Sequence, residues 1–293
     1  MTGGSAESTG RTGGTGAARS AAKRFLPWLL LAPVLVYLAI FYIAPLGVVV
    51  VASVTDPTLS LAHYRDFFTD GFYLQVLGRT FLTSLIVTLG CLLLGYPLAY
   101  AMARRNDSLV LAMLTLVALS FWTSFLVRTY AWMVILGNRG PVTAFFRMIG
   151  WDPPPEILFT RFSSTLAMVH ILLPFMVMAL YSVMKKIDPA LLKAAQNLGA
   201  SAGRTFRHVY FPLSAPGVVN GCTMVFILCL GFYVTPVLLG SPREQMLAGL
   251  IGRQIEELLD FGEASAMAVV LLLATLGLVA IYNRFVGIDK LWG

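Results

Sequence analysis

Of the 293 residues in the chain, 58% are hydrophobic and only 12% charged, with a net charge of +7. A soluble domain carries about 25% charged residues, so this chain cannot cover itself with a surface that water tolerates. Its three cysteines, Cys91, Cys222 and Cys229, all fall inside apolar runs and read as small buried hydrophobes, not as a disulfide framework or a metal set.

Residues 1–22 are rich in Gly, Ser and Thr and nearly devoid of apolar side chains. They have nothing to bury and are expected to form a disordered tail. The apolar run that follows is too long for the core of a signal peptide, so it reads as an uncleaved first span. A membrane helix needs about 20 apolar residues. Six stretches qualify: Phe25–Val51, Phe81–Met102, Leu109–Val127 with an extension to Leu136, Ser164–Met184, Pro212–Leu239 and Ala264–Phe285. Pro27, Pro33, Pro45, Pro97, Pro174 and Pro216 lie in or at the ends of these runs, and kinks are expected there.

Loop charge sets the orientation. With the N-terminus inside, the inner segments collect Arg11, Arg19, Lys23, Arg24, Arg104, Arg105, Lys185, Lys186, Lys193, Arg204, Arg207, Arg284 and Lys290. Only Glu7, Asp107, Asp188 and Asp289 oppose them, and the outer segments are left slightly acidic. Both termini are therefore expected in the cytoplasm, and the positive charge needs no nucleic acid to explain it.

Several chemistries lack their residues. There is no GxxxxGK[ST] phosphate loop and no HExxH, so neither ATP binding by a P-loop nor a zinc site is expected. His63, His170 and His208 are far apart, and no Asp or Glu lies within the apolar core of a span. Proton-coupled carriers and intramembrane aspartyl proteases usually need such a group. No metal or cofactor is assigned to the chain.

The loop between spans four and five, Asp188–Pro212, carries the functional signal. Asp188-Pro189 reads as an N-cap followed by proline at the first helical position. Leu191, Leu192, Ala195 and Leu198 then share a face opposite Lys193, Gln196 and Asn197. Gly199 suits the left-handed residue that ends a helix, Ser201 can cap a second short helix, and Pro212 is expected to start the next span. Patterning alone leaves open an amphipathic helix held on the headgroups. The spacing adds a resemblance: Lys193-Ala194-Ala195, three residues, Gly199, nine residues, then Val209-Tyr210-Phe211-Pro212 resembles the EAA signature of binding-protein-dependent ABC importer permeases, Glu-Ala-Ala…Gly…Ile-x-Leu-Pro. Lys193 departs from it by reversing the usual acidic charge.

The resemblance runs from about Phe81 to Arg284. Segments such as Leu94–Tyr100, Phe121–Trp132, Ile171–Met178 and Phe232–Gly240 resemble the spermidine/putrescine branch. It implies an all-α membrane protein of six transmembrane helices with the type I ABC importer permease fold. Residues 1–22 would be a cytoplasmic tail, 23–76 the first helix and outer loop, 77–286 the type I domain and 287–293 a second tail. It also implies a transport subunit rather than an enzyme. Lys193, Ala194, Ala195, Gly199, Val209, Phe211 and Pro212 would dock into a cytoplasmic ATPase, present in two copies, which holds ATP and Mg. A second homologous permease and an external substrate-binding protein complete the assembly. Opines, thiamine and ferric iron are alternative cargoes, and a channel or secondary carrier without an ATPase is the alternative function.

For a polyamine path the candidates are the aromatic residues Phe121, Trp122, Tyr130, Trp132, Phe232 and Tyr233, which can hold ammonium groups by cation–π contact but equally suit an interfacial belt. Arg128 is either a snorkelling cation or a pathway residue that favours an anionic or zwitterionic cargo. Glu256, Glu257, Asp260 and Glu263 read as a solvated helix face or as an acidic patch that attracts a cation or docks the binding protein. Asn220 and His170 are expected to make helix–helix hydrogen bonds.

Overall fold

The computed structural model describes residues 31–55, 59–105 and 107–286. The tail over 1–22, the start of the first span at 25–30 and the tail 287–293 lie outside the described residues. The described residues form helices and no strand, and they divide into two units with the boundary after Ala52. The first unit is built on α1 (Leu31–Thr55), which runs on just past that boundary.

A π-turn over Ala39–Ile43 interrupts α1, with the Ala44 N–H bonded to the Ala39 carbonyl. Pro45 follows at once. A proline has no N–H to donate, and its ring collides with the carbonyl four residues back. Widening the preceding turn to i→i+5 bonding moves that carbonyl aside. The same device recurs over Phe206–Tyr210, where the Phe211 N–H reaches the Phe206 carbonyl immediately before Pro212.

The second unit contains α2 (Ala62–Thr69), α3 (Gly71–Ala103), α4 (Ser108–Trp122), α5 (Phe125–Leu136), α6 (Pro141–Met148) and α7 (Arg161–Met184). It continues with α8 (Pro189–Asn197), α9 (Ala202–Leu230, including the π-turn), α10 (Val234–Leu239), α11 (Leu247–Arg253) and α12 (Phe261–Val286). Among the described residues five helices, α1, α3, α7, α9 and α12, are long and apolar enough to cross a membrane. The sixth span is a broken pair: the chain turns by 98° between α4 and the segment that begins with α5.

Span limits move accordingly. The second helix begins at Gly71 rather than Phe81, because the Asp70 carboxylate accepts the Phe72 N–H (2.8 Å) and caps it. A Thr160/Ser163 capping box starts the fourth at Arg161. The fifth begins at Ala202, not Pro212, and stops at Leu230, not Leu239. Hydropathy marks the membrane-facing stretch of a helix; caps mark its ends.

The core lies where α3, α7 and α9 meet. Met168, Leu172, Met176, Leu180 and Met184 recur at i+4 along α7 and are all buried, forming one ridge in contact with both neighbours. Small residues let the backbones approach it. A Cβ on Gly95 of α3 would lie 3.0 Å from Met176 Cγ, and one on Gly217 of α9 would lie 3.0 Å from Val183 Cβ. In lipid such close packing replaces the hydrophobic driving force between helices, and flexible methionines fill the irregular gaps. Cys91 and Cys229 are buried in this core and Cys222 packs on it. Gly217→Leu is expected to force α9 off α7 and to destabilise the protein by about 1–3 kcal/mol, read as a lowered midpoint of thermal unfolding in detergent.

The ends of the bundle are tied differently. At one, Arg105 pairs with Asp107 (2.8 Å) and holds that carboxyl below its usual range by hydrogen bonding and charge. Lys185 Nζ donates to the Arg105 carbonyl there (3.1 Å). At the other, the Leu247 N–H donates to Thr80 Oγ1 (2.8 Å), Arg79 donates to the Arg243 carbonyl and the Tyr73 hydroxyl to Glu263.

Candidate functional site

Two places stand out: a helix–turn–helix knob at the basic end and a cavity where two broken helices meet. In the knob, the Asp188 carboxylate accepts the Ala190 N–H (2.8 Å) with Pro189 at the first helical position. The helix ends in a Schellman motif, with Gly199 N–H to Gln196 O (2.9 Å) and Ala200 N–H to Ala195 O (3.0 Å). Gly199 sits at φ +88°, in the left-handed region that favours glycine. Ser201 Oγ then accepts the Arg204 N–H (3.4 Å) and caps α9. Every element of the turn is therefore fixed by a local bond, so it moves as one body.

The knob's faces differ from the expected amphipathic pattern. Leu192 packs on the core, but Leu191 is 48% and Leu198 89% exposed. Lys193 and Gln196 instead line a cleft of about 270 Å³ with Arg104, Met184 and Tyr210. Val209 and Phe211 lie where the second arm enters the span, because the π-turn before Pro212 keeps α9 continuous. Two interleaved i,i+4 aromatic pairs secure that root. The Tyr210 ring meets Tyr100 edge-on at 4.8 Å, and Phe206 meets Tyr100 at 5.7 Å and Tyr96 at 6.1 Å.

The second place is formed by interruptions. α4 ends at Trp122 and α5 begins at Phe125, with Thr123 extended between them. α9 ends at Leu230, and Gly231–Tyr233 lead into α10. Pro174 lies within α7. Together they enclose a cavity of about 350 Å³ lined by Ser120–Phe125, Arg128, Ile171, Leu172, Pro174, Phe175, Leu228 and Phe232. A smaller one of about 180 Å³ shares Phe125 and Phe232 with it. Irregular backbone at membrane depth is tolerated where it lines such a cavity. Arg128 stitches the break: its guanidinium donates to Ser120 Oγ (3.2 Å), the Thr123 carbonyl (3.1 Å) and the Ile171 carbonyl of α7 (3.4 Å). Phe121 meets Phe175 edge-on at 4.9 Å, and Phe125 meets Phe232 at 6.3 Å. A buried Thr129–Thr235 hydroxyl pair (3.0 Å) joins α5 to α10.

Residues 92–288 match the family of binding-protein-dependent transport system inner membrane components. The chain belongs to this family. Relatives include the spermidine/putrescine transport system permease protein PotB of Escherichia coli K12, 34% identical over 231 residues that make up 78% of this chain and 84% of PotB. PotB of Haemophilus influenzae is 33% identical over 77% of this chain and 79% of its own. The inner membrane ABC transporter permease protein YdcU of Escherichia coli K12 is 30% identical over 80% and 77%. Among solved structures, a bacterial ABC transporter involved in the import of the acidic polysaccharide alginate shares the fold, with a TM-score of 0.75 at 18% identity, over 92% of this chain and 98% of that one. As a member of this family the chain is a multi-pass inner-membrane permease with the type I importer fold.

Within this permease fold the residues singled out in the sequence separate. Phe121, Trp122, Arg128 and Phe232 line the larger cavity and Tyr233 the smaller. Trp122 is 83% exposed and Tyr130 55%, and Tyr130 lines neither. Trp132 donates its indole N–H to His170 Nδ1 (3.2 Å), the helix–helix bond expected of His170. Asn220 is exposed on α9 and makes no such bond within the described residues. The acidic patch is mostly local structure: Glu257 pairs with Arg253 (2.8 Å), Asp260 accepts the Glu263 N–H (2.9 Å), and Glu263 accepts from Tyr73. Ser120, Phe125 and Phe175 escaped the sequence reading because each sits in an unbroken apolar run. Phe206 left a signal, its i+4 spacing to Tyr210 matching Tyr96 and Tyr100.

Thr129→Val and Thr235→Val are each expected to cost about 1 kcal/mol and to be non-additive, as interhelical hydrogen bonds in membranes are worth about 0.6–1.7 kcal/mol. A double-mutant cycle on thermal unfolding reads the coupling.

Proposed function

We propose that the Asp188–Pro212 knob docks this permease onto a cytoplasmic ATPase, and that the broken-helix cavity is part of the path for a polyamine. The observation that carries the reading is the locked turn at Gly199 with Leu191 and Leu198 exposed beside it. Because α8 and the start of α9 move as one body, closure of two ATPase subunits would displace α9 directly, and α3 through the Tyr96, Tyr100, Phe206 and Tyr210 rings. Rocking of the spans then exchanges inward- and outward-facing access. The N-in, C-in orientation places the knob in the cytoplasm.

A second permease pairs with this one. Asn220 supports that pairing, since a side-chain amide exposed in the middle of an apolar helix is costly against lipid and is satisfied by a neighbouring helix or a polar path. An external binding protein delivers the cargo, as in the alginate transporter solved in complex with a pentasaccharide-bound periplasmic protein.

Polyamine cargo rests on the likeness to PotB and on four phenyl rings, Phe121, Phe125, Phe175 and Phe232, around a cavity large enough for an alkylammonium group. Their faces attract ammonium by up to about 2 kcal/mol each when desolvated. ATP-dependent uptake into proteoliposomes holding the full importer tests both claims. Labelled spermidine or putrescine is expected to enter only with ATP and binding protein, and opines, thiamine and ferric iron are not expected to compete. Uptake without an ATPase would replace this reading with a channel or carrier.

A further inference from the structure

We propose that the ATPase surface receiving the knob is acidic, and that one of its carboxylates enters the cleft beside α8 to pair with Lys193 and Arg104. This rests on the docking assignment above and specifies its chemistry. The cleft has Leu192, Lys193 and Gln196 on one wall, Arg104 on another and Met184 and Tyr210 within it. No acidic side chain lines it. Asp188, the sole carboxylate between Asp188 and Pro212, is committed to the Ala190 N–H. Neither Lys193 nor Arg104 has an ion pair among the described residues. Arg104 rests 5.3 Å from the centre of the Tyr100 ring and donates to its hydroxyl, contacts that fix the guanidinium without neutralising it.

Docking makes this charge consequential. Leu191 and Leu198 gain by burial only if the partner excludes water from the α8 surface, and Lys193, on the opposite side of that short helix, lines the cleft that a partner enclosing the whole knob also closes. A cation covered without a counter-charge carries a large desolvation penalty, so a partner that encloses the knob, cleft included, must supply an anion. Arg204 and Arg207, both exposed on the second arm, extend the positive field and add electrostatic attraction to an acidic partner. Anionic lipid headgroups are the competing source of negative charge, and the test below separates the two.

The test uses the full importer in nanodiscs, with and without phosphatidylglycerol, and measures the apparent Kd of the ATPase for the permease over a range of NaCl. Lys193→Glu is expected to weaken binding by about tenfold or more, Lys193→Gln and Arg104→Gln by less, and all three to flatten the salt dependence. Lys193 is exposed, so the variants should elute as the wild type does on size exclusion. Binding by Lys193→Glu as tight as or tighter than wild type overturns the proposal, because the socket is then neutral or basic. A defect that appears only with phosphatidylglycerol overturns it in favour of a lipid site. Wild-type uptake by Gly199→Asp would instead remove the docking assignment itself, whatever the Lys193 variants do.

Discussion

Gly199→Asp is expected to leave the permease in the membrane at wild-type abundance and to abolish ATP-driven uptake. Gly199 has φ +88° and no atom within 4 Å of where a Cβ would lie. The new side chain therefore meets no steric block, and strain in the left-handed region costs about 1–2 kcal/mol, which aspartate tolerates better than most residues. Gly199 itself is exposed and touches nothing in the bundle core, so insertion and folding should survive. The knob's contact surface would not. A carboxylate then sits next to the exposed Leu198, on the surface proposed to meet the ATPase. Gly199→Asn, which accepts the same backbone without the charge, should retain more transport than Gly199→Asp. Uptake and ATP hydrolysis measured in the same proteoliposomes separate uncoupling from loss of protein. Unchanged uptake in Gly199→Asp would falsify the role assigned to the loop.

Arg128→Ala should lower both maximal uptake and thermal stability, with little change in the cargo concentration for half-maximal uptake. The guanidinium bridges the last turn of α4, the extended Thr123 and the α7 backbone. Hydrogen bonds to a charged group contribute about 1.5–3 kcal/mol each, so losing even one of them corresponds to about a tenfold change in an equilibrium. Without Arg128 the break between α4 and α5 loses its brace, and the Thr123 carbonyl between the two helices loses its donor. Arg128→Lys is not expected to rescue, because a single ammonium cannot reproduce a planar fork that reaches three acceptors. A selective rise in the half-maximal cargo concentration at wild-type stability would instead make Arg128 a cargo ligand. In the cavity proposed to receive polyamines, the two terminal nitrogens of Arg128 donate to three protein oxygens and Nε is buried without a partner among the described residues, so its charge is held in place by the fold.

How much of this was legible beforehand differs between the two places, and the difference is local against non-local. The knob is written in adjacent residues: Asp188 and Pro189 begin a helix by capping and fixed φ, Gly199 ends it, and Ser201 begins the next. Each needs only neighbours a few positions away. What the sequence could not report there is which leucines face out. Leu192 is partly buried because it packs against the core of α3, α7 and the start of α9, whereas Leu191 stays exposed among the described residues.

The broken third span shows the opposite case. Hydropathy reads a span over Leu109–Val127 that extends past Arg128 to Leu136, and no proline or glycine marks a break within it. The break at Thr123 is held by Arg128 from the following segment and by a carbonyl of α7, a bond across 43 positions in sequence. Phe125 and Phe175 join the cavity for the same reason, brought together by the bends of three separate helices. Apolar spans, their number counting the broken pair as one, the charge asymmetry of the loops and the Gly199 turn were all determined by the sequence, because solvent transfer, loop charge and capping act over a few residues. Only the tertiary structure decided where helices stop being straight, which aromatic rings share a cavity and which face of the knob is left for a partner. Those depend on backbone groups that find their hydrogen bonds in another helix.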